Sequence, residues 1–258
     1  MLLAMDVGNT NIAIGLYDGD RLRHQWRLAT HKERTPDEYA ITVLQCFALE
    51  GVAPSAVSAA VLASVVPPLT PTFVDLCRVR FGTAPLVVGP DTDTGITIRY
   101  ENPSDVGADR IVNAVAAHTR FKRAAIVVDF GTATTFDYVT ANGEYLGGAI
   151  APGIGIAAEA LVQRTSRLPR IEITRPPSVI GRTTNVAMQA GLVFGYAGLV
   201  DEIVTRMARE TGSDPAVVAT GGLAGLIAPE TRTIKEIDEF LTLDGLRLIH
   251  ARQGHRAA

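Results

Sequence analysis

The sequence predicts an α/β protein built as two duplicated halves. Three observations carry that reading. An apolar strand-like run ends in an aspartate and, two residues later, a glycine. The same arrangement returns about half a chain further on. Between and after the copies, strand-like runs alternate with helical ones. The first copy is Met5-Asp6-Val7-Gly8-Asn9-Thr10-Asn11, preceded by the run at 2–5 and followed by a second strand over 12–17 with a turn at Asp18-Gly19-Asp20. The second is Val128-Asp129-Phe130-Gly131-Thr132-Ala133-Thr134-Thr135, preceded by 124–128 and followed by 136–139. Asp6 and Asp129 stand 123 residues apart in a chain of 258, which suggests halves of 1–118 and 119–258.

In order, a third strand is expected at 21–28, where polar and apolar residues alternate. Pro36 opens a helix that runs to about 49, with Tyr39, Val43, Leu44 and Phe47 inward and Gly51 as its stop. A valine- and alanine-rich strand at 56–66 ends at Pro67-Pro68; a helix at 71–80 and a short strand at 86–88 complete the first plan. After a polar connection at 91–103, Ser104 reads as the N-cap of a helix reaching 121. The second plan has strands at 124–128, 135–139 and 145–150, then a helix at 154–163. An arginine- and proline-rich loop at 164–182 precedes a long helix at 185–211, a strand at 216–219 and a small helix opened by Gly221-Gly222.

Composition bounds the function. A hydrophobic share of 47% and a charged share of 20% describe an ordinary globular protein with ample core. A net charge of −3 points to neither nucleic acid nor an anionic membrane. The chain opens directly into a strand with no leader pattern, and the most apolar window, 186–200, is shorter than a bilayer span, so a cytoplasmic location is expected. Cys46 and Cys77 lie in apolar helical patterns and read as core residues. The three lysines, Lys32, Lys122 and Lys235, follow no glycine, which excludes a Walker-type loop.

The chemistry suggested by the paired turns is phosphoryl transfer, which needs charge neutralisation and positioning. Glycine lets backbone N–H groups at 8–11 and 131–134 approach phosphate oxygens closely, and Asp6 and Asp129 offer carboxylates to a cation. The run Thr220-Gly221-Gly222, after a strand, can lay bare backbone against a nucleoside. Asp109 is the candidate general base for an acceptor hydroxyl, with small neighbours Gly107 and Ala108 and the guanidinium of Arg110 beside it. A surface Asp–Arg pair in a first helical turn is the competing explanation. Gly153-Ile154-Gly155-Ile156-Ala157-Ala158 matches a dinucleotide fingerprint, yet follows the third strand of a repeat, where a tight turn onto a helix explains it equally well. Gly191, Gly195 and Gly198 give the long helix a flat face suited to close packing, within the chain or between subunits.

Taken together, the double hairpin and the glycine turn resemble the superfamily of acetate and sugar kinases, actin and the heat-shock chaperone ATPases. Within it the sequence resembles the type III pantothenate kinases over nearly its whole length. The carriers are Asp6-Val7-Gly8-Asn9-Thr10, Gly107-Ala108-Asp109-Arg110, Asp129-Phe130-Gly131-Thr132-Ala133-Thr134 and 147–153, together with Ile180-Gly181-Arg182-Thr183-Thr184, where the family more often has asparagine at the place of Thr183. The resemblance implies two ribonuclease-H-like (actin-like ATPase) domains around a nucleotide cleft and ATP-dependent phosphorylation of pantothenate on the way to coenzyme A. It implies ATP at Asp6, Val7, Gly8, Asn9, Thr10, Asn11, Ile12, Ala13 and Thr132, and pantothenate at Tyr100, Gly107, Ala108, Asp109, Arg110 and Thr184, with Asp109 catalytic. It also implies K⁺ or NH₄⁺ at Asp129, Mg²⁺ held by Asp6 directly or through water, and a homodimer. A nucleotide-binding accessory protein on the same fold, or a nucleotide or polyphosphate hydrolase, remain the alternatives.

Overall fold

The first strand, β1 (Leu2–Val7), is apolar along nearly its whole length, with consecutive residues 3–5 buried on both faces of the sheet and a neighbour on each edge. It pairs antiparallel with β2 (Asn11–Asp18), which pairs antiparallel with β3 (Arg21–Ala29). In β3 exposed residues alternate with half-buried ones, as expected of an edge strand with one wet face. α1 (Pro36–Leu49) starts with a capping box in which Thr35 and Glu38 satisfy each other's backbone N–H groups, and Pro36 occupies its first turn. β4 (Ala59–Ser64) lies parallel to β1; α2 (Thr70–Arg80) and β5 (Leu86–Val87) follow, giving a sheet ordered β3-β2-β1-β4-β5. Tyr39, Phe47, Phe73 and Phe81 fill the space between this sheet and its helices, with Trp26 stacked on Phe47 at 5.1 Å. Cys77 is in that core, and burial pushes its thiol up to about 12, as suits a structural cysteine.

A short strand, β6 (Thr97–Ile98), precedes α3 (Ala108–Phe121). The second unit begins within α3 and repeats the plan: β7 (Ala125–Phe130), β8 (Ala133–Val139) and β9 (Glu144–Pro152) form an antiparallel meander. After α4 (Ile154–Arg164) and α5 (Thr184–Thr211), β10 (Ala216–Thr220) returns parallel to β7. α6 (Ala224–Ile227), β11 (Glu236–Ile237) and α7 (Leu241–Gly254) complete the computed structural model, which describes residues 1–254. Within the second unit the sheet runs β11-β10-β7-β8-β9. Ile126, Val128, Phe130, Phe136 and Tyr138 on one face meet Leu192, Val193, Tyr196, Val200 and Val204 of α5. α5 is long and apolar enough to cross a bilayer by length and composition, but this buried stripe commits it to the protein core. Its Asp201, 6% exposed, accepts from the backbone N–H groups of Arg232 and Thr233, the Thr233 hydroxyl and Arg232 Nε, and so ties down the segment leading to β11.

Three expectations change. Residues 103–105 form only a single 3-10 turn, and α3 starts at Ala108; the Ser104 hydroxyl donates to Asn102 Oδ1 and caps nothing. The strand expected at 56–66 is confined to β4, since Pro54–Ala56 makes its own turn. The largest change concerns α7, which the sequence reading left unassigned. Residues 242–254 group with residues 1–116, not with the second half, so the divide at 1–118 and 119–258 misplaces the C-terminal helix. The reasons are long-range contacts. The Tyr17 hydroxyl donates to Asp244 at 2.9 Å, Arg252 Nε to Asp93 at 3.0 Å, and Gln253 Nε2 to the Asp93 carbonyl at 2.8 Å. A Cβ on Gly245 would lie 2.2 Å from the Val112 carbonyl oxygen, so glycine is what lets α7 reach α3.

Candidate functional site

The first turn is closed on itself. Gly8 N–H donates to the Asn11 carbonyl at 3.0 Å, and a Cβ on Gly8 would sit 2.9 Å from that oxygen. From β3's end, the Thr30 hydroxyl donates to the Gly8 carbonyl at 2.7 Å and its N–H to the Thr10 carbonyl at 2.9 Å. Buried Val7 and Ile12, a register pair, fix the base of the turn, and Ala13 stands across from half-buried Asp6. Asn9, Thr10 and Asn11 are left exposed at the tip. Thr30 escaped the sequence reading because nothing local marks it; only the pairing of β2 with β3 brings it there.

In the same unit, Asp109 occupies the first turn of α3, where its Oδ1 accepts from Arg110 N–H at 2.8 Å. A Cβ at Gly107 would fall 2.5 Å from that same Oδ1. A side chain at 107 would therefore displace the carboxylate from this position. Arg110 is 7% exposed, which sets aside the surface-pair explanation for this Asp–Arg sequence. Tyr100 is exposed.

The second turn gathers three glycines from distant parts of the second unit. Gly131 lies in the turn itself, and its Cβ would meet Asp129 Oδ1 at 3.4 Å. Gly153 caps α4, and its Cβ would lie 2.0 Å from the Thr132 carbonyl oxygen. That contact accounts for the first glycine of the dinucleotide-like pattern without a dinucleotide. Gly221, at φ +89°, has no room for a side chain either: its Cβ would be 2.5 Å from Asp129 Oδ1 and 2.7 Å from the Phe130 carbonyl carbon. The parallel register of β10 with β7, which sets Thr220 beside Asp129, produces this approach. The Thr220-Gly221 turn and the Asp129 turn are thus one site, with Thr132 exposed at its rim. One carboxylate among backbone and hydroxyl oxygens is a donor set that fits a hard cation.

Thr184 is the exposed first residue of α5. It borders a cavity of about 710 Å³ with Gly181, Arg182, Thr183, Ala187 and Met188. Thr183 caps the helix by accepting from Val186 N–H at 3.3 Å. A Cβ on Gly181 would come within 2.3 Å of Ala187 N, so the loop doubles back tightly on the helix start.

A duplicated mixed sheet whose hairpin turns each present an aspartate beside close-packed glycines defines a protein of the actin-like ATPase and sugar kinase fold. Solved structures share that fold at low identity. A Campylobacter jejuni protein provisionally described as a conserved Baf family transcriptional activator has a TM-score of 0.62 at 17% identity, covering 98% of this chain and 99% of its own. A Sinorhizobium meliloti protein provisionally described as a 2-dehydro-3-deoxygalactonokinase has a TM-score of 0.59 at 13% identity, covering 98% and 96%. The family model for type III pantothenate kinase matches residues 2–206. A type III pantothenate kinase of Geobacter sulfurreducens is 56% identical over 252 residues, 98% of this chain and 99% of the relative. The chain belongs to the type III pantothenate kinase family, whose members phosphorylate pantothenate with ATP in coenzyme A biosynthesis.

Proposed function

We propose that Asp109 is the general base with which this chain transfers the γ-phosphoryl group of ATP to the hydroxyl of pantothenate. The acceptor oxygen forms a bond to the γ-phosphorus, the bond from that phosphorus to the β,γ-bridging oxygen breaks, ADP leaves, and the acceptor's proton passes to the Asp109 carboxylate. The observation that carries this reading is the placement of Asp109, whose Oδ1 accepts from Arg110 N–H in space that a side chain at 107 would take. Gly107, Ala108, Arg110, Tyr100 and Thr184 are proposed to contact pantothenate, and Asp6 to Ala13 with Thr132 to contact ATP. Bound with the nucleotide, Mg²⁺ near Asp6 and K⁺ or NH₄⁺ at Asp129 would neutralise phosphate charge.

A homodimer is part of the same reading. Its support is that the second unit exposes Ile150, Val179 and Ile180, at 64%, 69% and 82%, and that Gly191, Gly195 and Gly198 of α5 are bare. A cytoplasmic location, where ATP and pantothenate meet, completes it.

ADP release measured with and without pantothenate tests the assignment. Release should require pantothenate; release at the same rate without it would identify a hydrolase instead. Asp109→Asn should lower kcat by about 10²-fold or more while nucleotide binding persists. Activity near that of the parent protein would remove Asp109 from the mechanism.

A further inference from the structure

A buried carboxylate in the second unit has no part in the reaction as described so far. Asp137 and Tyr145 are both 0% exposed. The Tyr145 hydroxyl donates to Asp137 Oδ1 at 2.6 Å, and the Thr135 hydroxyl donates to Asp137 Oδ2 at 3.0 Å. A fully buried carboxylate carries a desolvation cost that specific hydrogen bonds must offset, and these two hydroxyls contribute to doing so.

The register ties this network to the second turn. Asp129 pairs directly with Thr135, Val127 with Asp137, and Val139 with Tyr145. Paired residues and i, i+2 neighbours share a face, so Asp129, Thr135, Asp137 and Tyr145 all lie on the side of the sheet opposite the Val128–Phe136 core face. Directly opposed side chains have Cβ atoms roughly 4.5–5.5 Å apart. Thr135, half-buried, is therefore the register partner of Asp129 on the β8 side, as Thr220 is on the β10 side.

A threonine hydroxyl has one proton and two lone pairs. Left alone beside Asp129, it would donate that proton to the Asp129 carboxylate and compete with a cation for it. Asp137, a carboxylate that can only accept, takes the proton in the other direction. Thr135 then turns only lone pairs toward its surroundings. We propose that Thr135 is a neutral oxygen donor of the monovalent-cation site at Asp129, and that Asp137, braced by Tyr145, is the positioning residue that fixes its hydroxyl. This rests on the reading of Asp129 as the cation site.

The test measures K⁺ binding directly and through activity. Thermal midpoints with Mg·ADP are titrated with KCl against choline chloride at constant ionic strength, and the K⁺ half-saturation for pantothenate-dependent ADP release is measured in parallel. Thr135→Val removes the oxygen at nearly constant shape, Thr135→Ser retains it, and Asp137→Asn returns a donor to Thr135. Valine and asparagine should raise the K⁺ midpoint in both assays by roughly 10- to 100-fold, and serine should leave it within about threefold. A purely structural role would lower thermal stability in choline without moving the K⁺ midpoint, and that result for Thr135→Val would overturn the proposal. A parent protein with no K⁺ response in either assay would overturn the Asp129 reading itself, and this inference with it. Should Asp137→Asn fail to fold, the Thr135 pair decides the matter alone.

Discussion

Adding one methyl group at position 107 should disable Asp109, the proposed base, without unfolding the protein. The Cβ of Gly107→Ala would fall 2.5 Å from Asp109 Oδ1, where ordinary contact begins at 3.4 Å. Its next neighbour, Val65 Cγ1 at 3.5 Å, is already at an acceptable distance. The strain therefore falls almost wholly on the carboxylate, which must retreat by about 0.9 Å or rotate off the Arg110 N–H. A displacement of about 1 Å in a reacting group costs about 10²-fold in rate. That is about 2.7 kcal/mol of transition-state stabilisation at 1.36 kcal/mol per decade. Gly107 does not occupy a positive-φ conformation, so the backbone accepts alanine, and reduced freedom of the unfolded chain returns about 0.4–1 kcal/mol. The expected outcome is kcat lowered about 100-fold, with KM for ATP nearly constant and a thermal midpoint within a few degrees of the parent's. Steady-state ADP release and differential scanning calorimetry on the same preparation give both quantities. A folded Gly107→Ala enzyme with kcat within about threefold of the parent would refute the link between the glycine, the carboxylate and the chemistry.

Other substitutions probe the remaining contacts. Gly245→Ala should destabilise the protein by about 1–3 kcal/mol, read by urea denaturation, because the methyl meets the Val112 carbonyl rather than a yielding side chain. Gly221→Ala combines a φ of +89° with a clash on Phe130 backbone, and should weaken ATP binding by calorimetry more than it weakens pantothenate binding. For Asp201, burial acts to raise its pKa, but hydrogen bonds from Arg232 and Thr233 outweigh it and hold the carboxyl below its ordinary 3.8. A depressed folded-state value means stability present above pH 3.8 and lost as pH falls toward the lower folded value. Asp201→Asn should therefore cost about 2 kcal/mol near neutrality and flatten the acid limb of the melting-temperature profile; an unchanged acid limb would contradict the clasp. Gly195→Glu, which places a charge on the open stripe of α5, should yield monomers by light scattering.

What could be read from sequence was what depends on neighbours in sequence. Asp6 and Gly8, or Asp129 and Gly131, sit two residues apart in one hairpin, so strand, acid and turn are visible in a single window. The same holds for Gly107 and Asp109, where the contact that demands glycine is made by a residue two positions away. α7 failed that condition. Its sequence carries Gly245 in mid-helix, which argues against a helix locally and is explained only by Val112, far away in the chain. Leu243, Leu246 and Ile249 are buried, yet without partners in view their spacing is a weak signal. The boundary of the second unit was misplaced for the same reason: chain order cannot show that Asp244 meets Tyr17. Thr30 likewise reaches the first turn only through cross-strand register.

The glycines of the second unit also recast two motifs that looked independent. Gly153 belonged to a rival dinucleotide pattern and Gly221 to a nucleoside turn, each weak alone. In the structure both press on the segment 129–132, Gly153 on the Thr132 carbonyl and Gly221 on Asp129 and Phe130. Gly155, the next glycine of the rival pattern, has no atom within 4 Å of its would-be Cβ, so close approach does not require it. A true dinucleotide fingerprint needs its glycines for a phosphate-bearing turn of its own. Here the close contacts fall at Gly153 and not at Gly155, and they are made with the Asp129 hairpin. The steric demands of that hairpin therefore account for Gly153 and Gly221 together. Alanine at 153 or 221 should disturb the same ATP-binding step, whereas alanine at 155 should leave it unchanged.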